Sequence, residues 1–470
     1  MVRAAAWILT LGLLAGAAWL VLVVQQERSA PDRLLVFGAT IVTMDASGTV
    51  IPKGAIAIEG DRIVRVGPAR DVRDSFPNAR EIDLTGHIVL PGLINTHTHA
   101  PMVLFRGLAD DLPLMRWLNE YIFPAERKTV SAEFVRVGTE LAALEMIESG
   151  TTTFVDMYYF EEVIAEVTRR AGLRGVLGQT VIRFPVGDAP TPEEALARAE
   201  QFLSAWKDDP LVTPALAPHA AYTLEPHTLR SARDLANKFG VPLLIHLSET
   251  KDETDIIRQA QKTTPARYLD SLGLWQGKSL AAHAVWLDDG DIALLAQRGV
   301  GLAHNPESNM KLASGIAAVP KWLAAGVKAG LGTDGAASNN DLDMFEAMRV
   351  AALLHKVATG DPEALPARQV LELATRRGAE AIGLGDRIGS LEPGKKADLI
   401  SVGLTGARQT PLFDPMSHLV YVARGSDVRT VIVAGRVLMR EGRVQTLNRE
   451  TVLREATAMA EKVRAAVFKK

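Results

Sequence analysis

The chain contains no cysteine. That excludes disulfides, CxxC redox motifs and thiolate metal ligands. It also excludes the deaminase centre in which one His and two Cys hold zinc. Any metal ion must be held by imidazole and carboxylate, and the redox compartment stays open. A surplus of positive charge is missing too: 52 Lys+Arg stand against 55 Asp+Glu, a net charge of -3. That balance lacks the basic footprint of a nucleic-acid binder. The sequence has no low-complexity tract, no short internal repeat, no HExxH and no GxSxG. Gly273-Leu-Trp-Gln-Gly-Lys-Ser279 looks like a phosphate-binding loop but has one residue too few between its glycines.

What is present is a chain of 470 residues, 47% hydrophobic and 23% charged, which can bury a large core. One large domain with a satellite is expected. Residues 4–24 are apolar apart from Thr10. At about 1.5 Å per residue this run just spans a hydrocarbon core of roughly 30 Å. Trp7 and Trp19 lie near its ends, where interfacial aromatics sit. Cleavage near Ala15 and Ala17 would leave the apolar stretch 19–24 on the mature end. An uncleaved single-pass anchor in the lipid bilayer is therefore expected. The short tail with Arg3 stays inside, which puts the body outside the cytoplasm. Residues 25–33, with Pro31, form a polar linker.

Short β-like segments follow at 34–44, 55–59 and 62–66, and similar ones return at 398–402, 419–423 and 428–438. They predict one small composite β-sandwich domain built from 34–88 and 391–450. Between the flanks, residues 89–390 alternate strand and helix patterns. Candidate strands are 89–95, 152–156, 175–182, 213–218, 242–246, 279–283, 300–304 and 328–332. They are apolar without clear alternation, as strands buried on both faces are. Eight βα units in about 300 residues predict an α/β fold of the (β/α)8 barrel type. A doubly wound open sheet is the competitor. Residues 451–470 form a C-terminal helix.

The polar residues fall at the C-terminal ends of these strands, where barrel enzymes carry their chemistry. His97 and His99 follow the first strand, and His219 ends the fourth. His246 ends the fifth, with Glu249 three residues on. His283, His304 and Asp334 end the sixth, seventh and eighth. In an extended segment His97 and His99 face the same way, so both imidazoles can reach one ion. His304 is read as ordering the Asn305-Pro306 turn. His87, His227, His355 and His418 fall outside the pattern.

Several stretches carry a resemblance: Pro91-Gly-Leu-Ile-Asn-Thr-His-Thr-His-Ala-Pro-Met102, Ala109-Asp-Asp-Leu-Pro-Leu-Met115, His246-Leu-Ser-Glu249, His304-Asn-Pro-Glu-Ser-Asn309 and Gly332-Thr-Asp-Gly-Ala-Ala-Ser-Asn-Asn340. Over residues 34–445 the chain resembles the amidohydrolase superfamily, and within it the 5-methylthioadenosine/S-adenosylhomocysteine deaminase and chlorohydrolase group. The resemblance implies one zinc ion on His97, His99, His246 and Asp334; His3Asp also suits iron or nickel. Binuclear relatives bridge two metals with a modified lysine on the fourth strand, which here ends Ala217-Pro218-His219.

A divalent ion can bring the pKa of bound water from about 15.7 towards 7. The resemblance further implies that Asp334 takes the water's proton and Glu249 protonates a ring nitrogen and then the leaving amine. His283 polarises the water. Glu126 matches the carboxylate that binds ribose hydroxyls, and a carboxylate can accept both O–H groups of a diol. His219 matches the His that contacts the purine. Substrate also meets Glu249 and Asp334. The methylthioadenosine deaminases have a substrate-contacting Arg after the third strand; here residues 187–194 contain none, and Arg183 is the nearest.

The expected function is hydrolytic deamination of an adenosine-like nucleoside or another aminated N-heterocycle, releasing ammonia. The rivals are a C–Cl or cyclic-amide hydrolase of the same superfamily and a catalytically inactive anchored scaffold. Glu249 favours deamination over dehalogenation, and the complete metal set argues against the scaffold. Homo-oligomerisation is left open.

Overall fold

The computed structural model describes residues 32–468. Eight parallel strands form a nearly closed barrel in sequential order. They are β1 (Leu93–Thr98), β2 (Thr151–Tyr158), β3 (Arg174–Val181), β4 (Val212–Pro218), β5 (Leu243–Leu247), β6 (Ser279–His283), β7 (Gly301–His304) and β8 (Lys328–Leu331). Every residue of β2 and β3 is buried, because side chains of one face fill the barrel and those of the other meet helices. The helix Pro226–Phe239 is typical of that outer layer. Proline opens it, Leu229, Ala232 and Ala236 are buried, and Gly240 at φ 68° caps it in the left-handed region.

The expected first strand, 89–95, is two strands. His87–Pro91 pairs antiparallel with Leu399–Gly403 and parallel with Thr40–Val42, in a second sheet. The barrel begins only at Leu93. Gly92 makes the crossing: a Cβ there would lie 2.0 Å from Thr152 Oγ1. The chain passes from sheet to sheet with no loop, so the apolar run is unbroken in the sequence.

Outside the barrel, a four-stranded sheet comes from the N-terminal flank, and a seven-stranded one combines both flanks. They share a core in which Leu34, Val36 and Ile56 of one meet Ile41, Val89 and Leu399 of the other. Arg174, at the start of β3, holds Asp398 through two bonds of 2.9 and 3.2 Å. Both side chains are buried, and Asp398 also accepts the Ala434 amide at 2.7 Å. This pair ties the barrel floor to the second sheet.

The membrane expectation is corrected. Among the described residues no helix is long and apolar enough to cross a membrane. The longest, Arg449–Phe468, carries Arg454, Glu455, Glu461, Lys462 and Arg464, and it packs on Ala132–Glu148 with ion pairs such as Arg449–Glu148 at 2.9 Å. The span expected at 4–24 lies outside the described residues. The transmembrane helix, the bilayer contact and the extracytoplasmic placement are therefore withdrawn.

Candidate active site

The strand ends converge on one mouth. His97 lies inside β1 and His99 one residue beyond it. The His97 ring centroid is 4.9 Å from that of His99, 5.1 Å from His246 and 5.3 Å from His283. Asp334 Oδ1 lies 3.4 Å from Nε2 of both His97 and His99. Its other oxygen accepts from Ser308 at 2.6 Å and Ser338 at 3.1 Å.

The tautomers decide what this cluster can hold. His99 Nδ1 meets Met157 O at 2.7 Å, and His246 Nδ1 meets His219 O at 2.8 Å. A carbonyl only accepts, so both rings carry their hydrogen on Nδ1. Their Nε2 lone pairs then face each other at 3.3 Å. Burial lowers the pKa of His97 to about 4 and that of His246 well below the usual range, so both rings are neutral. His97 Nε2 is buried with no hydrogen-bond partner. Facing lone pairs, an orphaned imidazole nitrogen and a carboxylate fit a divalent metal ion. The ligand atoms of His97, His99 and His246, and those of His97, His283 and Asp334, lie within 4.8 Å of one another.

Around this centre, Glu249 and Asp334 oxygens lie 3.8 and 3.9 Å from His283 Nε2. His283 is oriented by Asn309 Oδ1 at 2.9 Å from its Nδ1. Burial, then the neighbouring Asp334, raises Glu249 well above the usual carboxylate range. Glu253 accepts the Ser248 and Glu249 amides at 3.0 and 2.8 Å and fixes that turn. Ser248, His283, Ala284 and Asp334 all have positive φ, from 48° to 72°. Such strain in non-glycine residues gathers where side chains must be aimed.

Glu126 sits buried on the helix Phe123–Thr129, and its Oε1 accepts the Tyr158 hydroxyl at 2.7 Å. Burial raises its carboxyl to about 7, against the Tyr158 bond. The His219 ring packs 4.7 Å from that of His246. A cavity of about 700 Å³ opens here. Seven of the eight expected site residues line it, and His97 lies buried beside His99. His304 does not reach it: its Nε2 is 3.1 Å from that of His355, a residue the strand-end pattern ignores.

Sequence reasoning missed the supports. Asp156 Oδ1 accepts from the Thr98 hydroxyl at 2.7 Å and the Ala100 amide at 2.6 Å, clamping both sides of His99. Its signal was a lone carboxylate inside the apolar stretch Thr153-Phe-Val-Asp-Met157. Ser308, Ser338, Asn309 and Glu253 give no comparable signal.

A family model described as "Amidohydrolase family" matches residues 88–438. The chain belongs to the amidohydrolase family. A bacterial imidazolonepropionase-like composite domain also matches, at residues 54–79. Among amidohydrolase relatives, a 5-methylthioadenosine/S-adenosylhomocysteine deaminase of Syntrophobacter fumaroxidans is 48% identical, covering 93% of this chain and 99% of its own. A 5'-deoxyadenosine deaminase of Methanosarcina acetivorans is 45% identical, covering 92% and 98%. A crystal structure of an adenosine deaminase from Xanthomonas campestris with bound zinc superposes with TM-score 0.90 at 39% identity, covering 92% of this chain and 98% of its own.

Proposed function

We propose that this amidohydrolase is a metal-dependent deaminase of adenosine-like nucleosides, of the methylthioadenosine/S-adenosylhomocysteine type, or of related aminated N-heterocycles. It is a hydrolase acting on carbon–nitrogen bonds in cyclic amidines, and ammonia is its product. The observation that carries the reading is the convergence of His99 and His246 Nε2, 3.3 Å apart, beside a buried Glu249 whose carboxyl is pushed well above the usual range by burial and then by Asp334. His97, His99, His246 and Asp334 would hold one ion, zinc by similarity to the zinc-bound relative. When bound, such an ion supplies acidified water and charge stabilisation.

The chain's own groups do the rest. Asp334, aimed by Ser308 and Ser338, accepts a proton from the attacking water. His283 Nε2 hydrogen-bonds that water and fixes its line of approach. Glu249 enters protonated and gives its proton to the ring nitrogen beside the carbon under attack. The proton held by Asp334 passes through Glu249 to the departing amine, and the second proton of the water returns to Glu249 as the carbonyl forms, which restores the acid. Glu126 accepts the ribose hydroxyls, and His219 contacts the purine. An ammonia-release screen across adenosine, methylthioadenosine, S-adenosylhomocysteine, guanine and cytosine tests this reading. Release is expected from the adenosine type; release from none transfers the assignment to C–Cl or cyclic-amide hydrolysis.

A further inference from the structure

Backbone ladders join the barrel strands in turn from β1 round to β8, but among the described residues no ladder pairs β8 back to β1. The two strands nevertheless run close. A Cβ on Gly332 would lie 2.9 Å from the His97 amide nitrogen, and one on Gly330 would overlap the Thr96 side chain. Near the barrel floor this seam is filled from outside. There the Ile94 amide donates to Ala374 O at 2.9 Å, and Gly378, in the helix Arg376–Ala381, packs against Ile94 and Gly330.

At the mouth the seam is closed from within. The Asp334 amide donates to His97 O at 2.9 Å. Beside that bond, Asn95 Oδ1 accepts the Thr333 amide at 3.0 Å, and Asn95 Nδ2 donates to Thr333 Oγ1 at 2.7 Å. A backbone N–H can only donate, which fixes the end of the Asn95 amide that is oxygen. The Thr333 hydroxyl donates in turn to the Asp334 carbonyl at 3.0 Å. Asn95 and Thr333 are fully buried. The Asn95 side chain thus offers the seam one acceptor and one donor, as a peptide group does within a ladder.

The same seam parts the metal ligands. His97 and His99 come from the β1 side and Asp334 from the β8 side, and His97 Nε2 faces Asp334 Oδ1 across it at 3.4 Å. We propose that Asn95 is a positioning residue: its side-chain amide clasps Thr333 across the seam and fixes the spacing of His97 and Asp334 on which metal affinity depends. The inference rests on the metal reading above. Ligands set in place beforehand leave more of the binding energy for the ion, whereas a widened seam spends part of it on drawing the two strands together.

The test measures zinc affinity of the full chain, by competition with a chromogenic chelator, for wild type, Asn95→Ala, Thr333→Val and Thr333→Ser. Affinity should fall about 10–100-fold in Asn95→Ala and about tenfold in Thr333→Val, which keeps the shape but removes the acceptor; in Thr333→Ser, which keeps the hydroxyl, it should fall less than about threefold. A role in stability alone would not move these values, because the folded protein binds zinc with its own constant. Hydrogen exchange supplies the second readout: residues 93–98 and 328–334 of Asn95→Ala should exchange faster, with β3 and β4 unchanged. Unchanged zinc affinity in Asn95→Ala and Thr333→Val overturns the clasp, as do equal losses in Thr333→Val and Thr333→Ser or faster exchange spread evenly over the barrel. A wild-type protein that binds no zinc removes the metal reading itself. Should Asn95→Ala misfold, the comparison of Thr333→Val with Thr333→Ser still decides.

Discussion

His99 and His246 turn Nε2 towards each other at 3.3 Å because each has committed its only hydrogen to a carbonyl. Glu249 and Glu126, carboxyls that burial has pushed upward, line the same cavity. Glu249→Gln keeps the shape and loses the transferable proton. Metal content should be unchanged and kcat should fall by about 10²–10⁴-fold, the usual worth of a general acid–base. Unchanged turnover in steady-state assays would refute the shuttle. Glu126 titrates near 7. Below that pH its carboxyl is neutral and accepts a diol poorly; above it the carboxylate accepts both hydroxyls. KM for ribonucleosides should therefore fall as pH rises through about 7, while 2',3'-dideoxyadenosine shows no such step. A pH profile of KM that is the same for both substrates would contradict the diol role.

At the scale of elements, β2 works on the metal ligands without supplying one. Met157 O sets the His99 tautomer, and Asp156 clamps residues 98 and 100. Asp156→Ala should weaken metal affinity about 10–100-fold, the usual effect of removing a support behind a ligand. Asp156→Asn, which keeps an acceptor oxygen, should recover most of it. Equal metal affinity in all three proteins, by competition titration, would show the clamp to be idle. The ligands themselves were legible in the sequence, because His and Asp at the ends of apolar runs break a strong pattern. Their supports were not, since a serine or asparagine in a loop looks the same whether or not it aims a neighbour. The break at Gly92 was hidden for another reason: nothing polar marks a chain that leaves one sheet for the next without a turn.

At the scale of the molecule, Arg174–Asp398 links the barrel to the second sheet and is, among the described residues, the most buried of the ion pairs. Arg174→Ala leaves Asp398 uncompensated in the interior and should cost about 3–5 kcal/mol in denaturant unfolding. A loss below about 1 kcal/mol would mean that water reaches the carboxylate. Composition and period foretold the barrel, whereas the apolar run at 4–24 led to a membrane reading that the described residues do not support. The central claim is that the converging imidazoles and Asp334 make deamination depend on a metal ion. The most direct measurement is ammonia release from 5'-deoxyadenosine before chelation, after it, and after return of zinc. The account predicts activity that is lost on stripping and regained at about one ion per chain; undiminished release by the metal-free protein would contradict it.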